Sequence, residues 1–254
     1  MRQGLPRNSS MDGLINLDKP TGITSARALY RVRGITGVRK SGHAGTLDPA
    51  ASGVLLICLG KATKCVEELM NLPKVYHATA RLDVTSDSHD ADRPMLPVPV
   101  PQQPQRADVE AVCRTFEGVI AQVPPRVSAV KVGGTPAYKR ARRDESFELR
   151  ARPVRVYWVS IRRFDWPELD FSICCGRGTY VRALIRDIGA RLGTGGCLTG
   201  LVRAQVGPFL VENAWTLDRL RQAEDPAAYL VSMDCLRDLL SSADMRIPAR
   251  PSGE

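Results

Sequence analysis

Residues 54–59 read VLLICL, six apolar side chains without a break. They follow thirteen residues, 41–53 (SGHAGTLDPAASG), that are almost all small. A run this short and this apolar reads as a buried strand. The stretch before it has too little side chain to form a packed element and is expected to be a loop. A strand buried on both faces needs other elements on either side of it, so the sequence around it must supply a sheet and helices.

It does so irregularly. Gly13-Leu-Ile-Asn-Leu is a short strand running into a turn at Asp18-Lys19-Pro20-Thr21-Gly22. Thr24 or Ser25 caps a helix to about Ile35, ended by Gly37. Residues 62–72 follow the apolar run as an amphipathic helix, and 75–84 alternate like a strand. Residues 94–106 hold five prolines and read as a surface linker. Asp108 caps a helix to about Glu117. Ser128 to Val132 is a strand entering a Gly-Gly turn, followed by a short basic helix around 138–143. Strands at 154–164 and 169–175 precede a helix at 179–192, a strand at 198–206 and a last helical region from Asp218. Strands and helices alternate without regular βαβ spacing, which predicts an α+β fold with a mixed sheet.

No segment approaches the roughly eighteen apolar residues of a membrane-spanning helix. The N-terminal residues 1–10 read as a disordered leader without the apolar core of a secretion signal. The seven cysteines include no Cys-x-x-Cys pair, and Cys174-Cys175 suits neither a zinc site nor a disulfide framework. Reduced thiols in the cytoplasm are expected.

Thirty-six basic residues against twenty-seven acidic ones give a net charge of +9, and arginine supplies twenty-nine of the thirty-six. Such an excess favours a polyanion, nucleic acid being the commonest, although an arginine-rich composition alone would give the same count. The excess is spread along the chain, so any binding surface is built by the fold.

Chemistry concentrates in two small-residue turns. Gly42-His43-Ala44-Gly45-Thr46-Leu47-Asp48-Pro49 lets backbone approach a ligand and presents a carboxylate, Asp48, beside an imidazole, His43. The same residues also read as an Asx-type turn. Gly176-Arg-Gly-Thr-Tyr180-Val-Arg182 opens a helix and offers a flat ring beside a cation. Tyr76 adds an aromatic on a strand, and aromatic and basic residues on a sheet are how proteins hold unstacked bases. Core packing is the plain alternative for each ring. No G-x-S-x-G elbow is present, and the three histidines lie in no metal-ligand spacing. Hydrolase and metalloenzyme readings therefore have no support.

Taken in order, these motifs resemble the TruB family of pseudouridine synthases. The matched segments are Asp18-Lys19-Pro20-Thr-Gly-Ile-Thr-Ser, Gly42 to Pro49 with Gly53-Val54-Leu55, Lys74-Val-Tyr76, Pro124-Pro125-Arg-Val-Ser128-Ala129-Val-Lys131, Gly178-Thr-Tyr180-Val-Arg182, and Leu201-Val-Arg203 through Gly207-Pro-Phe209. The resemblance implies the pseudouridine synthase fold, an α+β architecture with a mixed, largely antiparallel sheet flanked by helices. It implies a catalytic domain over 11–215 and a short helical extension over 216–254, without a complete C-terminal RNA-binding domain.

The implied activity is isomerisation of a T-loop uridine of tRNA (uridine-55, TΨC arm) by base flipping, glycosidic cleavage and reattachment through C5. Asp48 would be the catalytic carboxylate and Arg182 its ion-pair partner. Tyr76 would pack on the base, Tyr180 and Leu201 would complete the pocket, and His43 would face the RNA loop. Lys19 would also serve the substrate site. Neither cofactor nor metal is expected. The expected partner is the tRNA T-arm, met by a cytoplasmic monomer away from any membrane. An RNA-binding protein or tRNA folding chaperone without catalysis is the alternative. The sequence departs from the family pattern at Asp83 and Arg93, where glycines are usual, and at Val127, where a tyrosine is usual.

Overall fold

Apolar runs punctuated by glycine and proline give many short elements. The computed structural model describes residues 11–128, 130–143, 145–241 and 247–251. Its first elements are β1 (Gly13–Lys19), α1 (Ser25–Thr36), β2 (Ser41–Ala44), β3 (Ser52–Leu59), α2 (Val66–Asn71) and β4 (Lys74–Arg81). The middle of the chain adds β5 (Val84–Thr85), β6 (Leu96–Pro97), α3 (Arg106–Arg114), β7 (Gly118–Gln122), β8 (Lys131–Val132), β9 (Thr135–Pro136) and α4 (Ala137–Ala141). Then come β10 (Arg152–Asp165), β11 (Glu168–Cys175), α5 (Val181–Leu192), β12 (Cys197–Val206), β13 (Phe209–Leu210), α6 (Leu217–Gln222), β14 (Val231–Ser232) and α7 (Met233–Ser241). The leader expected at 1–10 and Ala129 of the PPxxSAxK segment lie outside the described residues.

These elements form two compact units, divided at Lys74/Val75 and again at Leu201/Val202. In the first, β14, β1, β3 and the end of β12 lie side by side. β1 runs antiparallel to β3 from Gly13↔Leu59 to Lys19↔Gly53. β2 also pairs with β3, from Ser41↔Leu59 to Ala44↔Leu56. β12 joins β3 in parallel at Val202↔Ser52 and Arg203↔Gly53. Every side chain from 54 to 59 is fully buried, as the unbroken apolar run predicts. Each large apolar group there contributes about 1.5–3 kcal/mol by leaving water. Val54, Leu56 and Cys58 share a core with Leu69 of α2 and Leu236 of α7. The C-terminal segment is thus helical at α6 and α7, but it also supplies an edge strand, β14, to β1.

The second unit orders its strands β12, β4, β11, β10, β7. β10 and β11 form a long antiparallel hairpin whose turn contains a cis Trp166–Pro167 bond. α3 and α5 pack together, burying Val109, Leu184, Ile185 and Ile188 in one core with Phe171 and Ile173. α5 ends at Gly193, whose φ of 70° suits the left-handed cap that only glycine adopts freely. Both units are mixtures of helix with largely antiparallel strands, the α+β class expected. Among the described residues no helix is long and apolar enough to cross a membrane.

Four local expectations are corrected. The small-residue stretch 41–53 is not all loop, because the backbone of Ser41–Ala44 finds ladder partners on β3 without needing large side chains. Residues 62–72 are not one helix: a 3-10 segment, Gly60–Cys65, precedes α2. α3 starts three residues early at Arg106, capped by Gln105, while Asp108 is the third helical residue and reaches back to the Gln105 N–H at 2.8 Å. The proline-rich stretch is partly anchored, with β6 pairing to β5.

Candidate active site

The loop carrying Asp48 leaves β2 at Ala44 and enters β3 at Ser52. It is short of side chains, so its shape must come from hydrogen bonds to its backbone. Three residues outside the loop supply them. Arg203 donates from Nε to the Val54 carbonyl at 2.7 Å and from Nη2 to the Gly45 carbonyl at 3.0 Å, which ties the two arms of the loop to one guanidinium. Ser25, at the start of α1, accepts from the Leu47 N–H at 2.8 Å and donates to the Leu47 carbonyl at 2.9 Å. Gly22 N–H donates to the Pro49 carbonyl at 2.8 Å. Asp48 therefore sits between two residues whose backbones are fixed, and its own carbonyl accepts from Ala51 N–H at 3.2 Å. The Leu47 and Ala51 side chains are buried on either side of it.

Glycine is required at the loop's exit. Gly53 has a φ of 100°, and a Cβ there would lie 2.3 Å from the Arg203 carbonyl oxygen. No residue with a side chain can bring β3 and β12 this close.

Two buried cations accompany the half-buried Asp48. Arg203 is 1% exposed and Lys19 is 0% exposed. The Lys19 ammonium donates to the carbonyls of Pro20 (2.8 Å) and Ile23 (2.9 Å), so it braces the Pro-Thr-Gly turn. Its pKa falls to about 8, chiefly through burial and with a further push from the Arg203 charge, while the carboxylates of Asp48 and Asp18 oppose the fall. His43 lies on β2 with Nδ1 buried and without a hydrogen-bond partner among the described residues. Its pKa is lowered, chiefly by burial and secondarily by Arg203, which favours a neutral imidazole. Lys74, of the matched lysine–x–tyrosine strand, donates to the Leu72 carbonyl at 2.7 Å and to the Met70 carbonyl, closing the end of α2.

The remaining expected residues belong to the second unit. Tyr76 and Leu201 are partly exposed and pack against its core. Tyr180 precedes α5, and the side-chain amide of Gln122 grips its backbone from both directions. Tyr180 N–H donates to Gln122 Oε1 at 2.9 Å, and Gln122 Nε2 donates to the Tyr180 carbonyl at 3.2 Å. Arg182 is 5% exposed and donates to the carbonyls of Ser88 (3.2 Å) and Val127 (3.0 Å). It thereby orders the turn before β6 and the Pro-Pro segment after β7.

The structure thus gathers Lys19, His43 and Asp48 in one unit and Tyr76, Tyr180, Arg182 and Leu201 in the other. The sequence reading assigns no role in the site to Arg203, Ser25 or Gln122. Arg203 lies inside the matched closing strand, and nothing in the sequence marks it as the residue that holds the loop. Ser25 reads as a helix cap, whereas Thr24 makes the cap and frees Ser25 to turn inward. Among the described residues no group of three His, Cys, Asp or Glu is placed to hold a metal ion.

Comparison with known proteins fits these observations. Residues 33–181 match the family model described as TruB family pseudouridylate synthase (N terminal domain), and 182–246 match the tRNA pseudouridylate synthase B C-terminal domain. A Thermobifida fusca protein named tRNA pseudouridine synthase B is 48% identical over 82% of this chain and 74% of its own length. A Burkholderia lata protein of the same name is 41% identical over 92% of this chain and 73% of its own. Among solved structures, a Cbf5-Nop10-Gar1 complex contains a chain that is 33% identical, with a TM-score of 0.64. The match covers 82% of this chain and 53% of that one.

Proposed function

This chain belongs to the TruB family of pseudouridine synthases, and from that premise we propose that it converts a uridine in the T-loop of tRNA (uridine-55, TΨC arm) to pseudouridine with Asp48 as its catalytic carboxylate. The coarser activity, uridine-to-pseudouridine isomerisation in tRNA, follows from the family and from relatives named tRNA pseudouridine synthase B.

The reaction breaks N1–C1′, turns the uracil and forms C5–C1′. The C5 proton leaves, N1 is reprotonated, and no atom is added or lost. What such chemistry asks of a protein is a flipped base, a replacement stacking surface and one carboxylate held in place. The observation that carries the proposal is the pinning of the Asp48 loop at Gly45, Leu47, Pro49 and Val54. A loop with so little side chain has no packing reason to be held at four points, whereas a reacting group must be fixed to a fraction of an ångström.

In this reading Tyr76 stacks on the uracil, with Tyr180 and Leu201 beside it, and Arg182 takes the ion-pairing role that the family resemblance implies. Stacking contributes about 1–3 kcal/mol per base toward the cost of flipping. The neutral His43 imidazole meets the RNA loop through stacking and hydrogen bonding. Lys19 acts through the turn it braces, since its ammonium is spent on backbone carbonyls.

The test is the position of the product. A tRNA transcript treated with the protein should show one pseudouridine in its T-loop by carbodiimide labelling and reverse transcription. A transcript carrying cytidine at that position should show none. Pseudouridine elsewhere in the tRNA, with the T-loop untouched, would overturn the assignment.

A further inference from the structure

Between Asp18 and Asp48 the chain has no carboxylate, yet it holds six of the molecule's lysines and arginines: Lys19, Arg27, Arg31, Arg33, Arg39 and Lys40. Most of that stretch is α1 and the turn after it, and α1 has no acidic residue in its first turn. Its outward face carries Arg27, Tyr30 and Arg33 at helical i, i+3 spacing, with open space around Gly34. Tyr30 is 74% exposed, the largest exposure of any large apolar residue among those described.

Several arginines elsewhere on this surface are neutralised by a nearby carboxylate. Arg106 pairs with Glu110 at 2.8 Å, Arg163 with Glu168 at 2.8 Å and Asp170 at 2.9 Å, Arg221 with Asp218 at 2.6 Å, and Arg237 with Asp234 at 3.1 Å. Those are locally neutralised charges, as an arginine-rich composition would produce. On α1 and the turn after it none is neutralised in this way: among the described residues no carboxylate pairs with Arg27, Arg31, Arg33 or Arg39. Arg33 is held instead by Ser41, donating to its Oγ at 2.7 Å and its carbonyl at 2.8 Å, which fixes the guanidinium beside β2.

An exposed ring set between arginines, on a helix without acidic residues, matches RNA. Phosphates meet the guanidinium forks, and an unpaired or terminal base stacks on the ring. An acidic protein would match the charge but gives no reason for a bare tyrosine at its centre. The same helix begins with Ser25, whose hydroxyl holds Leu47 next to Asp48. RNA reaching the Asp48 loop therefore passes close to the start of α1.

We propose that the outer face of α1 and the turn after it, centred on Tyr30 with Arg27, Arg33 and Arg39, is an RNA-docking surface that grips the substrate outside the reacting nucleotide. This rests on the tRNA reading above, and the experiment separates the two. Binding of a fluorescent tRNA transcript is measured by anisotropy across a salt series. The rate of pseudouridine formation is measured in parallel at saturating protein. The variants are Tyr30→Ala, Tyr30→Phe and the double change Arg27→Gln with Arg39→Gln, all at exposed positions.

The double variant is expected to bind at least about tenfold more weakly and to lose about 1.4–1.8 from the slope of log K against log salt, the loss for two phosphate contacts. Tyr30→Ala should weaken binding about tenfold while Tyr30→Phe binds as wild type does, because a flat face and not a hydroxyl is at work. The rate at saturation should stay at the wild-type level. Wild-type affinity and slope in the double variant, with wild-type turnover, would overturn the docking surface and leave the enzyme reading intact. A wild-type protein that neither binds nor modifies tRNA would overturn both.

Discussion

Replacing Arg203 by methionine removes the one group that holds both arms of the Asp48 loop. The change deletes two hydrogen bonds from a charged donor, to Val54 and Gly45, each contributing about 1.5–3 kcal/mol. The carbonyls left behind are partly or wholly buried, so neither bond is fully replaced by water. Methionine recovers part of the loss by filling the space with apolar volume and sparing the burial of a cation. The balance is a destabilisation of about 3 kcal/mol, or about 6–12 °C in Tm for a chain of this size. Activity should fall further than stability. A loop free to shift by about 1 Å misplaces Asp48, which costs about a hundredfold in rate.

Urea unfolding and the single-turnover rate, both below the variant's Tm, measure the two effects separately. Arg203→Lys keeps the charge but reaches only one carbonyl, and should fall between wild type and Arg203→Met in both. A stability loss under about 1 kcal/mol together with an unchanged rate would refute the clamp, because surface-like changes stay within that range.

Other outcomes follow from buried titrating groups. Lys19 has a folded pKa of about 8, below its unfolded value. The unfolded chain therefore binds the extra proton, and Lys19 adds stability as pH rises from about 8 toward 10.5, by at most about 3 kcal/mol. Unfolding free energies of wild type and Lys19→Met should diverge over that window, and parallel curves would contradict the burial. The thiols of Cys58, Cys113 and Cys174 are pushed up to about 12 by burial. Their contribution has the opposite sign, being full below the unfolded thiol pKa and lost as pH rises beyond it. With a colorimetric thiol reagent at pH 8, the exposed Cys235 should react first, and these three only on unfolding. Fast labelling of Cys58 in folded protein would contradict the packing of β3. Gly53→Ala should fail to yield stable protein, since its Cβ meets the Arg203 backbone at 2.3 Å. A stable, active Gly53→Ala would show that β3 and β12 need not approach so closely.

Much of this architecture is legible in the residues. The VLLICL run announces the central strand of the first unit because its burial is uniform, and α5 announces itself through helical periodicity and its glycine cap. β2 is not legible, because Ser-Gly-His-Ala has neither alternation nor bulk, and only its pairing with β3 makes it a strand. Similarly, the motif residues of the site could be named in advance but not what holds them. A backbone carbonyl has no sequence signature, so the long-range bonds from Arg203 to Gly45 and from Gln122 to Tyr180 become visible only in three dimensions. Lys19 shows the converse. Its place in a motif suggests contact with substrate, while its ammonium is turned inward onto the turn that carries it.

Release of tritium from a T-arm RNA labelled at uridine C5 tests directly whether Asp48 is the reacting carboxylate. Wild-type protein should release tritium in step with pseudouridine formed. Asp48→Ala should release none while still binding the RNA, because the bonds from Arg203, Ser25 and Gly22 to the loop's backbone survive the change. Release by Asp48→Ala at the wild-type rate would contradict the assignment of Asp48. Binding without release by either protein would make this chain an RNA-binding or RNA-folding protein built on a synthase scaffold.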